Sequence, residues 1–280
     1  MNIILAKTAG FCFGVKRAVD MAYKYQNTLN TYTFGPIIHN DVVINNLIEK
    51  GISPINQLED KEVDTLIIRS HGVTPKVYQS AKEKNITLVD ATCPYVKKIH
   101  RLVEEYFLKG YEIIIIGNKT HPEVEGINGW AHNKCFIVKD LADLIDLNLN
   151  KKVSKYLLVA QTTYKKEVVT PIIQYLEAEG YQHKYINTIC NATKARQEEA
   201  VNIAQKAECM LVIGSPYSSN TLKLYEICKQ YCEDSYCIAQ AHELTHEMIY
   251  NCNVVGITAG ASTPASVIEE VIQKLHQMNT

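Results

Sequence analysis

Short, nearly continuous runs of Ile, Leu and Val alternate with helical patterns from one end of this chain to the other. That alternation restricts the fold more than any other feature. A strand that is apolar on both faces must be covered on both, which calls for a parallel sheet flanked by crossover helices. Candidate strands fall at 2–6, 65–68, 86–89, 112–116, 135–138, 156–160, 210–213, 236–239 and 254–257. Between them, Val15, Ala18, Val19 and Ala22 recur at helical spacing, as do Val96, Ile99, Val103 and Tyr106 or Phe107. Pro75, Pro94 and Pro264 stand where a first helical turn would begin, and Gly51, Gly110 and Gly180 where helices would stop. The expectation is an α/β chain of mostly parallel sheets. Its 280 residues contain no low-complexity linker and suit three compact modules, 1–93, 94–190 and 191–280. No letter-by-letter repeat marks them.

The formal net charge is −1, so no global field points to nucleic acid or an anionic membrane. An anionic ligand would need a locally built site. The apolar stretch at the start ends at Lys7, too short for a signal peptide, and no run approaches the ~20 residues that cross a bilayer. A cytoplasmic protein is expected. Nine cysteines, an odd number in a chain without a signal, favour thiol, metal or redox chemistry over a disulfide scaffold.

Open α/β sheets bind ligands beyond the carboxyl ends of their strands. The residues predicted there are Cys12, Ser70-His71-Gly72, Cys93, His121-Pro122-Glu123, Gln161-Thr162-Thr163, Cys190, Ser218-Ser219-Asn220 and Ala259-Gly260-Ala261-Ser262. These are metal ligands, acid–base groups and donors suited to phosphate, and their recurrence suggests a shared central site. Cys12, Cys93 and Cys190 each precede a helical pattern, where amides and the positive helix end favour a thiolate. Cys135, Cys209, Cys228 and Cys237 lie in apolar strand or helix positions and should be packing residues. Cys232 and Cys252 lie in less regular sequence and read as exposed thiols. Three such distant ligands differ from the compact run of ferredoxins; on a cubane they would leave one iron with an open position. Zinc with three thiolates and a water suits the same ligands. His39, His71 and His121 sit in turns beside small or polar residues, whereas His100 and His276 lie within amphipathic helices.

Taken in order, the motifs are GFCFGVKRA at 10–18, IHN at 38–40, SHGV at 70–73, DATCP at 90–94 and HPEVEG at 121–126. QTT at 161–163, CNAT at 190–193 leading to Arg196-Gln197, SSNT at 218–221 and TAGAS at 258–262 complete the series. It resembles the 4-hydroxy-3-methylbut-2-enyl diphosphate reductase (LytB) family across nearly the whole chain. The resemblance implies three α/β domains of similar topology around a central [4Fe-4S] iron–sulfur cluster, with Cys12, Cys93 and Cys190 as ligands and one open iron. It implies that His39, His71, Ser218, Ser219, Asn220 and Ser262 clasp the substrate diphosphate. His121, Thr162 and Glu123 would face the substrate hydroxyl, with Glu123 delivering a proton. The implied reaction removes an allylic hydroxyl with two electrons and two protons, giving isopentenyl and dimethylallyl diphosphates in the last step of the non-mevalonate pathway. An external one-electron donor such as ferredoxin or flavodoxin would supply the electrons. Phe13 stands where the family more often has a small residue, and no fused C-terminal domain is expected. Rival readings are a cluster-dependent dehydratase, which needs no reductant, and a redox- or ligand-sensing binding protein.

Overall fold

The computed structural model describes residues 1–59, 61–152 and 155–278. Its strands are β1 (Asn2–Leu5), β2 (Thr31–Phe34), β3 (Ser53–Ile55), β4 (Thr65–Ile68), β5 (Thr87–Asp90) and β6 (Tyr111–Ile116). They continue with β7 (Phe136–Val138), β8 (Lys155–Ala160), β9 (His183–Tyr185), β10 (Cys209–Ile213), β11 (Ser235–Ile238) and β12 (Val254–Ala259). The helices are α1 (Phe13–Tyr23), α2 (Asp41–Glu49), α3 (Pro75–Glu83), α4 (Pro94–Leu108) and α5 (Pro122–Gly129). After them come α6 (Leu141–Asp146), α7 (Lys166–Ala178), α8 (Asn191–Ala204), α9 (Ser219–Tyr231) and α10 (Ala265–Met278).

The chain divides into two compact units. One, Arg17–Ile37 with Leu47–Cys190, holds two four-stranded sheets of order β3-β2-β4-β5 and β7-β6-β8-β9. The other, Met1–Lys16 with Ile38–Asn46 and residues from Asn191 onward, holds the sheet β1-β12-β10-β11. Among the described residues every strand pairing is parallel, as the apolar runs predict. In β6 and β8 the alternation of side chains sends Ile114, Ile116, Leu158 and Ala160 to one face, against Val169, Ile172 and Leu176 of α7. Ile113, Ile115, Leu157 and Val159 go to the other face, against Ile99 and Val103 of α4 and Val124 and Ile127 of α5. Burial on both faces is what makes these strands read as unbroken apolar runs.

All three sheets share one order. Numbering the strands of the first two sheets by succession, the spatial order is second, first, third, fourth, and the third sheet has the same order when β10, β11, β12 and β1 are counted first to fourth. In the third sheet β1 occupies the fourth place: Asn2 lies opposite Val254 and Leu5 opposite Ile257. The N-terminal strand therefore belongs to the sheet built by the last segment and does not open the first sheet, as a division at residue 93 would have it. The internal repeat is one of topology, carried by strand order and not by letters.

Sequence patterning misses β2, β3 and β9. β2 reads Thr-Tyr-Thr-Phe, with Thr31 and Thr33 buried. β3 is an edge strand containing Pro54, and β9 is a three-residue edge strand, His-Lys-Tyr. Short edge strands form because a neighbour offers a ladder, not because of their own apolarity. Pro75 and Pro94 do open α3 and α4, with Thr74 and Cys93 as N-caps. α10 starts at Ala265, one residue past Pro264. No helix of the described residues is long and apolar enough to cross a membrane.

Candidate functional site

In a sheet of this order the winding reverses between the first and third strands, and ligands bind beyond the carboxyl ends at that switch point. The strands concerned are β2 and β4, β6 and β8, and β10 and β12. The segments after them carry His39 and His71, His121 and Thr162, and Ser218 and Ser262, respectively. The fourth strands β5, β9 and β1 lead instead to Cys93, Cys190 and Cys12, each at the start of a helix. Equivalent places in three sheets thus carry equivalent chemistry.

In the unit holding the first two sheets, Cys93 caps α4 and donates its N–H to the Ser70 carbonyl (2.9 Å). The intervening turn depends on Gly72, whose φ is +73° and whose place leaves no room for a side chain. A Cβ there would stand 2.5 Å from Cε1 of His100. This turn presents His71, whose ring meets that of His121 edge-on, 5.4 Å between centroids. His121 caps α5, its Nδ1 accepting the Glu123 N–H (3.1 Å). In the neutral ring the hydrogen therefore resides on Nε2. Glu123, which the sequence places just beyond a strand end, lies in the first turn of α5, with Pro122 at the helix start. The signal used for Pro75 and Pro94 was present here too.

Glu123 is 2% exposed. Its Oε1 accepts the Thr162 N–H (2.6 Å) and its Oε2 accepts the Thr162 hydroxyl (2.7 Å). Burial raises its pKa above the ordinary carboxyl value, and the Thr162 hydrogen bonds reverse only part of that shift. The Thr162 carbonyl in turn accepts the N–H of Cys190 (3.0 Å). His121, Glu123, Thr162 and Cys190 thus form one hydrogen-bonded series.

Beneath the Gly72 turn, His100 is 2% exposed and stacks on Trp130 (5.3 Å, 21°), whose Nε1 donates to the Val73 carbonyl (3.1 Å). Neither of its ring nitrogens has a hydrogen-bond partner among the described residues. Burial pulls its pKa down to about 4 from 6.5. A depressed folded-state pKa means that the unfolded chain binds the proton first, so stability is lost as pH falls from 6.5 to about 4. The loss amounts to about 3 kcal/mol. Urea unfolding between those pH values should show a His100→Phe variant losing less stability than the wild type; parallel losses would remove His100 as the cause.

In the other unit, Cys12 donates its N–H to Ala261 (3.2 Å), and its carbonyl accepts from Lys16 (2.9 Å) as α1 begins. Ser218 caps α9, accepting from the Thr221 N–H (3.4 Å), and Ser262 donates to the Ser218 hydroxyl (3.4 Å). Ser219 and Asn220 follow in the first turn, where unpaired N–H groups and the helix dipole favour an anion. Asn220 is 4% exposed, and neither atom of its amide has a hydrogen-bond partner among the described residues. An unpaired buried amide is costly, so its environment suits a polar ligand. His39 precedes Asn40, whose Oδ1 caps α2 through the Val43 N–H (3.1 Å).

Cys12, Cys93 and Cys190 are half-buried thiols outside any disulfide. Burial pushes the thiols of Cys135 and Cys228 up to about 12 and that of Cys237 to about 11, and it raises Cys209 as well. These four are poor ligands, as packing residues should be. Cys232 is not exposed: it closes α9 and turns into the core beside Cys228, its Sγ near the carbonyls of Ala207 and Asp234. Phe13 points outward, 69% exposed, and does not crowd the core. Sequence reasoning gave no role to Arg17 or Arg196. Arg17 donates to the carbonyls of Asp90 and Thr92, just before Cys93.

The fold and the site together define a three-sheet α/β enzyme whose thiols, imidazoles and one buried acid stand at strand ends. The chain matches the model of the LytB protein family over residues 3–276, and it belongs to that family. It is 45% identical to the 4-hydroxy-3-methylbut-2-enyl diphosphate reductase of Caldanaerobacter subterraneus subsp. tengcongensis, over 99% of this chain and 98% of that protein. The enzyme of the same name from Clostridioides difficile is 44% identical over 99% and 100% of the two chains. Among solved structures, the Plasmodium falciparum E-1-hydroxy-2-methyl-but-2-enyl-4-diphosphate reductase superposes with a TM-score of 0.91 at 31% identity, over 97% of this chain and 87% of that one. A second, the (E)-4-hydroxy-3-methyl-but-2-enyl diphosphate reductase described as the terminal enzyme of the non-mevalonate pathway, gives 0.72 at 40% identity over 99% and 100%. The expected fold and the expected class, a reductase of the non-mevalonate route, are those of its relatives.

Proposed function

We propose that the chain reduces 4-hydroxy-3-methylbut-2-enyl diphosphate to isopentenyl and dimethylallyl diphosphates. The observation that carries this reading is the Glu123–Thr162 pair: a buried acid held at both oxygens by one threonine, in hydrogen-bonded series with Cys190.

Three half-buried thiols at helix starts, each after the fourth strand of its sheet, fit a [4Fe-4S] cluster with one iron lacking a protein ligand. When bound, the cluster would supply electrons and a Lewis-acidic iron position, recharged by a one-electron donor such as ferredoxin or flavodoxin. The protein's own residues do the rest. Ser218, Ser219, Asn220 and Ser262, with His39 and His71, supply donors to the diphosphate without a strongly basic surface. Anchoring that group positions the allylic hydroxyl, an effect that can account for ~7–11 kcal/mol of barrier. Hydroxide leaves poorly, so a proton must reach it. Glu123, whose protonated form burial favours, can pass a proton to the Thr162 oxygen once that hydroxyl turns from Oε2 to donate its own to the leaving oxygen. His121 offers a further donor through Nε2–H. A cytoplasmic location goes with this reading.

The diphosphate half is tested with Asn220→Ala. A hydrogen bond to a charged acceptor contributes about 1.5–3 kcal/mol, so the affinity for substrate should fall about 10- to 150-fold. Calorimetric titration with substrate and with inorganic diphosphate should show the loss while the cluster spectrum stays unchanged. Undiminished affinity for both would remove Asn220 from the site.

A further inference from the structure

Arg196 is charged, 3% exposed and has no part in the chemistry above. It projects from α8, the helix that begins directly after Cys190. Its Nη1 donates to the carbonyl of Ala259 (2.5 Å) and its Nη2 to that of Gly10 (2.9 Å). Gly10 lies two residues before Cys12, and Ala259 lies two before Ala261, whose carbonyl accepts the Cys12 N–H. One guanidinium therefore ties both strands of backbone that hold Cys12. Gly10 itself has φ +93°, and a Cβ there would stand 3.2 Å from Ile268 and 3.3 Å from the Thr263 carbonyl, so the loop has little freedom to move elsewhere. The same helix contributes Glu199, which accepts the N–H groups of Lys7 and Thr8 (2.8 and 2.9 Å) and the Thr8 hydroxyl (2.6 Å).

Two carbonyl hydrogen bonds alone do not explain a buried cation. A neutral donor would satisfy the same oxygens without the desolvation cost of a charge. Burial does lower the pKa of the guanidinium, and the negative charge of Cys12, ahead of that of Glu199, pulls it back. Cys12, which as a cluster ligand would carry a thiolate charge, is the counterpart that two carbonyls cannot supply.

We propose that Arg196 is a positioning residue for the cluster: it fixes the Cys12 loop from α8 and, as a buried cation beside that ligand, raises the reduction potential of the cluster. An added electron is stabilised by a nearby positive charge, and the low dielectric of a buried site strengthens the effect. The inference rests on the reading that Cys12 holds a cluster.

The test compares Arg196→Lys, which keeps the charge, with Arg196→Gln and Arg196→Met, which remove it. In anaerobically reconstituted full-length protein, a redox titration followed by electron paramagnetic resonance should give a lower midpoint for the neutral variants. The expected change is about tenfold in the reduction equilibrium, about 59 mV for a one-electron couple. The Lys variant should stay near the wild type. In the apoprotein, hydrogen–deuterium exchange read by mass spectrometry should show the Cys12 amide, which donates to the Ala261 carbonyl, exchanging about tenfold faster in either neutral variant that retains its native circular dichroism. That second measurement needs no cluster, so it separates this inference from the proposed function. Wild-type protein that assembles no cluster contradicts the function. Neutral variants with an unchanged midpoint and an unchanged exchange rate at the Cys12 amide overturn the role of Arg196.

Discussion

Glu123→Gln should keep its cluster and its substrate affinity, yet lose about 10²–10⁴-fold in turnover, the usual scale for a positioned acid. The glutamine is nearly isosteric. Its Oε1 still accepts the Thr162 N–H, and its amide can donate to the Thr162 hydroxyl oxygen, reversing the direction of the bond that Oε2 accepts in the wild type. Only the transferable proton is gone. The same variant has a second signature, in stability. Because the folded-state pKa of Glu123 is raised, the folded chain binds that proton more tightly than the unfolded one. Wild-type stability therefore declines as pH rises above 4.5 and levels off once the pH passes the folded-state pKa. Glu123→Gln has no such decline and should be the more stable protein at neutral pH. Lost turnover together with gained stability is the mark of a group held in a costly state for function. Near-normal turnover at saturating reductant would make Glu123 structural and leave Thr162 and His121 as the candidates.

Cys93→Ser should lose most of its cluster absorbance and activity, whereas Cys209→Ala should keep both. Cys93 stands at the N-cap of α4, its backbone held by Ser70 and by the neighbouring Thr92–Asp90 contact. A serine there keeps the turn but offers iron a hydroxyl in place of a thiolate. The fixed backbone cannot compensate by bringing another sulfur into place. Cys209 has a different environment: it opens β10 among core residues, its Sγ directed at the Met248 carbonyl (3.1 Å), and burial keeps it protonated. Truncating it removes packing and one weak hydrogen bond, not a ligand. Iron and sulfide counts with circular dichroism decide the matter. A full iron complement in Cys93→Ser, or its loss from a folded Cys209→Ala, would overturn the assignment.

What the sequence makes legible follows from what each residue must do alone. β6 and β10 announce themselves because both of their faces are buried, and each position must therefore be apolar. β2 does not, because Thr31 and Thr33 are buried through register with β4 and no local pattern requires them to be polar or apolar. The topological repeat is equally silent: β1 serves as a fourth strand only by pairing with β12, some 250 residues away in sequence. Residue type at strand ends is legible, since thiols, imidazoles and small hydroxyl residues in turns have few other uses. Pairing is not. Glu123 and Thr162 are 39 positions apart, and Arg196 and Gly10 are 186 apart, so no spacing rule could join them. Pro122 is a different matter, because its place at the start of α5 was readable by the rule that found Pro75 and Pro94.

Reductive loss of an allylic hydroxyl and redox-neutral dehydration make different demands, and one assay separates them. Anaerobically reconstituted protein is given 4-hydroxy-3-methylbut-2-enyl diphosphate with and without a one-electron reductant, and the products are resolved by mass spectrometry. Isopentenyl and dimethylallyl diphosphates should form only with the reductant, two electrons being consumed per molecule of product. Conversion without reductant, or none with reductant while the cluster is intact, would contradict the reductase.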